Sequence, residues 1–123
     1  FLAIQGEFCG PKVNGNAMGL KSYDFYVFTV KDLDSGSLLG LAGIKNTCVD
    51  LGLKMVPVIS VTVIDDTWTI QKFQDLANSQ EYIQSTGKRV PGEGIVVRPC
   101  EPAWSNTLGK MLSVKIINQN YKD

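Results

Sequence analysis

Two runs dominate the hydrophobic pattern. Phe25-Tyr26-Val27-Phe28-Thr29-Val30 is aromatic or β-branched at every position and predicts the strongest strand of the chain. Ile95-Val96-Val97 predicts a shorter, buried strand, entered through Gly92-Glu93-Gly94 and stopped by Arg98-Pro99. Phe1-Leu2-Ala3-Ile4 predicts another strand that continues through Gly6 to Phe8, and residues 111–117 predict the last. Residues 56–64 are β-rich but broken by Pro57, the pattern of an edge or bulged strand. Helical spacing occurs twice. Over residues 44–53, Ile44, Cys48 and Leu51 share a face and Gly52 offers a left-handed stop. After Thr69, a suitable N-cap, Ile70, Phe73, Leu76 and Ala77 form a buried stripe on a helix expected to run towards Gln84.

Between these elements the text is turn-rich. Asp34-Ser35-Gly36 predicts a turn with residues 37–41 returning as the second arm of a hairpin, while residues 85–89 read as a polar link and residues 100–109 as a loop. Residues 9–24 carry Gly10-Pro11, Asn14-Gly15-Asn16 and Gly19; this connection is longer than usual and marks a candidate functional loop. Strands predominate and do not alternate regularly with the two helices. The expected fold class is α+β, antiparallel β-sheets with flanking helices, in one domain covering residues 1–123.

Composition narrows the chemistry. The 123 residues suffice for one domain with a real core. Twelve basic and twelve acidic side chains give a formal net charge of zero, so a polyanion would have to be met by a local patch or by another part of the protein. The absence of histidine excludes histidine general bases, Ser-His-Asp arrangements and histidine metal sites. Cys9, Cys48 and Cys100 match no zinc spacing and read as reduced thiols. No signal peptide or apolar run of bilayer length is present, so the expected location is soluble and intracellular, away from membranes.

Three charged residues sit where strands begin or within them. Glu7 follows Gly6, Glu93 lies between two glycines, and Lys115 interrupts the apolar Leu112-Ser113-Val114-Lys115-Ile116-Ile117. Lys115 either faces solvent by simple alternation or is held over a cleft to meet a phosphate, with Lys110 and Arg98 nearby in sequence. Glu93 either ends in solvent at a turn or meets a metal, a ribose hydroxyl or a basic side chain. Phe28 reads as core or as a ring stacked on a nucleobase. Glu7 and Glu93 would also suit the acid and base of a glycoside hydrolase, but aromatics for sugar stacking are few, and cations near Glu93 would keep it ionised.

These segments, taken in order, resemble the nucleotidyltransferase domain of ATP-dependent RNA ligases. The nearest resemblance is to the Deinococcus-type nick-sealing family, with phage double-strand RNA ligases, DNA ligases and mRNA capping enzymes more distant. The blocks are Gly6-Glu7-Phe8-Cys9-Gly10-Pro11, Gly15-Asn16 with Gly19-Leu20, residues 24–30, Leu51-Gly52-Leu53 with Val56-Pro57-Val58, residues 93–99 and residues 113–117. The resemblance implies the ligase nucleotidyltransferase (ATP-grasp-like) fold, ATP and Mg2+ as cofactors, and joining of RNA 5′-phosphate and 3′-hydroxyl ends, or a nicked duplex. It assigns Glu7 to the ribose, Phe28 to the adenine, Glu93 to the metal and the transfer step, and Lys115 to the nucleotide phosphate. Arg98 takes the place of a basic residue that often follows that strand. Thr29 stands where an aspartate is common, and Ile117 where many relatives carry a second lysine. The family's Lys-x-Asp/His-Gly motif, whose lysine is adenylylated, is absent here. It is expected upstream of Phe1, so the chain is expected to be a partial domain, inactive in self-adenylylation without that N-terminal segment. Open alternatives are a DNA ligase or capping guanylyltransferase of the same superfamily, or a degenerate RNA-binding module.

Overall fold

A computed structural model describes residues 1–121. In chain order the elements are β1 (Leu2–Cys9), a single 3-10 turn (Asn14–Asn16), β2 (Asp24–Asp32), α1 (Leu41–Leu51), β3 (Lys54–Met55) and α2 (Ile70–Asn78). They continue with β4 (Glu81–Ile83), β5 (Arg89–Pro91), β6 (Gly94–Val97), β7 (Trp104–Ser105), β8 (Lys110–Met111) and β9 (Val114–Ile117). The α+β class with antiparallel pairs and helices is as expected. The chain forms two compact units, each built from segments distant in sequence.

The first unit comprises Phe1–Phe8, Asp24–Val61 and Arg98–Leu112. Its sheet has the order β1-β2-β3. The Leu33 amide donates to the Phe1 carbonyl while Gly6 lies against Tyr26, so β1 runs antiparallel to β2. β3 is parallel to β2, with Tyr26 opposite Lys54 and Val27 opposite Met55. Thus β2, α1 and β3 form one βαβ crossover within an otherwise antiparallel chain. Val27, Val30, Ile44 and Cys48 are buried together, with Ile4, Phe25, Leu39, Leu53 and Met55 packed around them. β7 and β8 form a small hairpin inside what the sequence presents as a loop.

Local chemistry explains where elements depart from their expected bounds. The hairpin arm over residues 37–41 reduces to one bridge, Lys31 to Leu38, because Gly40 already serves as N-cap and Leu41 opens α1. The Leu41 amide donates to the Cys100 carbonyl, which satisfies a helix-end donor. At the other end Gly52 is left-handed, φ 66°, as its position predicts. Leu51 is 56% exposed rather than buried, because the helix ends there and Leu53 takes the core position. The run over residues 56–64 is no strand. The Val56 amide still donates to Val27, but Pro57 has no amide and the ladder ends.

The second unit comprises Cys9–Tyr23, Thr62–Val97 and Ser113–Asp123. β6 and β9 pair antiparallel, and α2 packs on them with Ala77 and Ile95 buried. Of the expected buried strand only Ile95 is fully enclosed; its neighbour Val96 is 55% exposed, as alternation on a two-stranded sheet requires. Thr69 caps α2, accepting from the Lys72 amide. The helix stops at Asn78, short of Gln84, because the Ser79 hydroxyl and Gln80 side chain both donate to the Leu76 carbonyl. Residues 81–83 then pair with residues 89–91 as the β4–β5 hairpin, which replaces the expected polar link. Ile70 is 89% exposed: it starts the helix beside an apolar depression of about 640 Å³ lined by Phe73, Val97, Val114 and Ile116.

In the first unit, Asp24 pairs with Lys54, whose ammonium also lies 5.8 Å from the Tyr26 ring centre. The hydrogen bond from Lys54 is the main cause that holds the Asp24 carboxyl below its usual value of 3.8; desolvation opposes it and the Phe25 amide adds to it. A lowered folded pKa means this stabilisation is present above pH 3.8 and is lost as pH falls through the folded value. Asp24→Asn should therefore lower the melting temperature at neutral pH and flatten its decline below about pH 4. Melting curves followed by circular dichroism between neutral and acid pH check this; an unchanged acid slope contradicts it.

Candidate functional site

The five residues singled out by the sequence fall into two clusters. Glu7, Phe28 and Arg98 belong to the first unit, and Glu93 and Lys115 to the second.

In the first cluster, Glu7 is exposed on β1 directly after Gly6. A Cβ at Gly6 would collide with the Tyr26 carbonyl and come 2.6 Å from the Phe25 ring, so the glycine is what lets β1 press onto β2 beside Glu7. Phe28 is half-buried on the neighbouring strand. Arg98 leaves the end of β6 and donates to the Phe28 carbonyl at 2.8 Å and to the Thr29 hydroxyl at 3.1 Å. Its guanidinium lies 5.8 Å from the Phe28 ring centre. Arg98 thereby fixes the backbone that presents the ring, and Thr29 supplies the acceptor beside it.

In the second cluster, β6 and β9 place Gly94 opposite Ile117 and Val96 opposite Lys115. Lys115 faces outward and is also paired: its ammonium donates to the Glu93 carboxylate. The outward-facing reading of Lys115 holds, and its partner here is a carboxylate. The two side chains are 54% and 42% exposed, and an exposed pair of this kind contributes no more than about 1 kcal/mol. Glu93 is positioned by its backbone. Its amide donates to the Tyr82 hydroxyl at 3.4 Å, and its carbonyl accepts from the Asn118 amide at 2.8 Å. Gly94 has φ 146°, and a Cβ there would overlap the Ile116 carbonyl.

Asn118 is a residue the sequence reading missed. It is 1% exposed, and its side-chain amide donates to Gly92 at 2.9 Å and Gln80 at 3.2 Å while its oxygen accepts from Asn120. One buried amide thus holds the segment before Glu93, and its own backbone holds Glu93 itself. The available signal was a polar residue immediately after the apolar Ile116-Ile117, where an amide commonly bonds backbone.

Glu93 offers a single carboxylate. Among the described residues, no group of three or more His, Cys, Asp or Glu side chains is placed to hold a metal ion. This donor set fits a divalent cation that keeps water and substrate phosphates as its other ligands, and does not fit a closed protein cage. The three cysteines are all unbridged: Cys48 is buried, Cys9 half-buried and Cys100 exposed. Among the described residues no helix is long and apolar enough to cross a membrane.

Comparisons with known proteins agree on one family. The RNA ligase family matches residues 1–117. No protein of curated function matches. Among solved structures, a mutant Naegleria gruberi RNA ligase with AMP and Mn superposes with a TM-score of 0.72 at 27% identity. A second mutant of that enzyme, with ATP and Mn, gives the same TM-score of 0.72 and identity of 27%, and the enzyme with PPi gives 0.68 at 27%. Each alignment covers 95% of this chain but 32% of the relative, so the chain spans about a third of those proteins.

Asn118→Ala leaves the buried Gly92 carbonyl without its donor, the Gln80 carbonyl keeping the Gly92 amide, and should cost about 1–3 kcal/mol. Urea unfolding monitored by tryptophan fluorescence measures it, with Lys115→Ala, expected below about 1 kcal/mol, as the comparison. Equal losses for the two would contradict this assignment.

Proposed function

The chain belongs to the RNA ligase family, and we propose that it is a partial nucleotidyltransferase domain of an ATP-dependent RNA ligase. In this reading the full protein transfers AMP from ATP to a lysine with release of pyrophosphate, then from that lysine, which is freed, to an RNA 5′-phosphate. It finally joins that end to a 3′-hydroxyl and releases AMP. The observation that supports this most is the Lys115–Glu93 pair at the mouth of β6. A cation and a carboxylate presented side by side by rigid backbone can meet phosphate oxygens and the charge that balances them, and neither role needs histidine.

Each residue then has a part. Phe28, its backbone held by Arg98, stacks on the adenine; Glu7 accepts from the ribose hydroxyls; Lys115 contacts the nucleotide phosphate. Glu93 is the carboxylate that would hold a divalent cation, Mg2+ in our reading, which supplies charge neutralisation on the phosphates when bound. Without the cation, Lys115 keeps Glu93 paired. The Naegleria gruberi RNA ligase structures with AMP or ATP and Mn support the nucleotide and divalent-ion assignments by analogy. The lysine that receives AMP lies outside these 123 residues, which contain no Lys-x-Asp-Gly or Lys-x-His-Gly motif. The nick-sealing specificity of the Deinococcus-type enzymes is the finer assignment we favour within the family.

The test uses radiolabelled ATP and Mg2+. The full-length protein should retain covalent label and pass it to a 5′-phosphorylated nick in duplex RNA, while the 123-residue chain alone should retain none. In the full-length protein, Lys115→Ala or Glu93→Ala should reduce label transfer by about 100-fold or more with little change in melting temperature. No label on the full-length protein overturns the ligase reading; label on the isolated chain overturns the placement of the nucleophile.

A further inference from the structure

The long connection after β1 is not used by the proposed chemistry, yet it is built with care. Lys12, Asn14 and Asn16 all have positive φ, at 64°, 47° and 50°, with Gly15 at 75°. Asparagine and glycine adopt this conformation readily, but lysine does so at a cost. The Asn16 side chain closes the loop on itself, donating to the Leu20 carbonyl at 2.9 Å and accepting from the Leu20 amide at 3.0 Å. The loop is then fastened to the tip of the β4–β5 hairpin. Gln84 donates to the Ala17 carbonyl at 3.2 Å, and a Cβ on Gly19 would come 2.8 Å from the Gln84 side chain.

The charges on these two interlocked segments are all of one sign. No carboxylate occurs between Phe8 and Asp24, and none between Glu81 and Glu93, although the whole chain is neutral. Lys12, Lys21 and Lys88 are exposed, and none has an ion-pair partner among the described residues. Arg89, by contrast, is paired with Glu81. Segregated, uncompensated ammonium groups on a rigid surface match a polyanion whose phosphates are read by charge rather than by sequence.

We infer that the loop over residues 9–23 and the β4–β5 hairpin tip together form a docking surface for the phosphodiester backbone of an RNA strand, with Lys12, Lys21 and Lys88 as its phosphate contacts. This deepens the ligase reading and rests on it for the identity of the polyanion. The surface positions the strand and carries no base specificity.

The experiment measures binding of a fluorescein-labelled nicked RNA duplex to the full-length protein by anisotropy across a series of salt concentrations. The triple variant Lys12→Gln, Lys21→Gln, Lys88→Gln should flatten the slope of log K against log[salt] by about 2 to 3, at roughly 0.7–0.9 per lost phosphate contact. A control that removes the same charge elsewhere, Lys31→Gln, Lys45→Gln, Lys72→Gln, should leave the slope within about half a unit of wild type. ATP binding, read separately by calorimetry, should be the same for wild type and both variants. Equal flattening by both triples, no flattening by either, or no RNA binding by the wild type overturns the inference. Loss of ATP binding in the wild type counts against the ligase reading instead, which keeps the two failures apart.

Discussion

The second unit turns on one buried amide. Asn118 lies where β9 ends, and through its side chain and backbone it holds Gly92 and Glu93 on the approach to β6. Removing that donor leaves the Gly92 carbonyl unsatisfied in the interior, while the Gln80 carbonyl keeps the Gly92 amide, and the penalty exceeds what an exposed ion pair in this unit contributes. The position of Glu93 is therefore set by backbone hydrogen bonds and by the steric requirement for glycine at position 94, and it does not depend on the exposed contact with Lys115. A carboxylate fixed in this way is preorganised, and its partner is free to be exchanged.

That distinction separates architecture from chemistry. An exposed ion pair adds little to stability, so the Glu93–Lys115 contact is not what holds this unit together, and our proposal gives both groups other partners. The first unit follows the same logic. Arg98 spends its guanidinium on the Phe28 carbonyl and the Thr29 hydroxyl, which holds the strand carrying Phe28, while Gly6 brings β1 close enough to set Glu7 beside β2. In each unit the charged or aromatic group sits on backbone that other residues constrain.

Much of this was legible in the residues. The strand through Phe28 was marked by its aromatic and β-branched run, α2 by Thr69 and its apolar stripe, and the end of α1 by Gly52. These are local effects, and sequence carries them directly. What was not legible depended on partners distant in the chain. Residues 56–64 have the composition of a strand, but a strand exists only where another chain segment accepts its hydrogen bonds. The early stop of α2 came from side chains of Ser79 and Gln80 competing for the Leu76 carbonyl, and the parallel placement of β3 from the packing of α1 on β2. Asn118 escaped notice because its function is to satisfy carbonyls dozens of residues away.

The account rests on Glu93 and Lys115 being a metal and phosphate grip. Paramagnetic broadening of amide resonances tests it most directly, with MnATP added to the 15N-labelled chain. We predict selective broadening at the amides of Glu93, Gly94 and Lys115, abolished by Glu93→Gln while the remaining spectrum is preserved. Broadening that is absent from these amides, or that persists unchanged in the Glu93→Gln variant, would contradict the account.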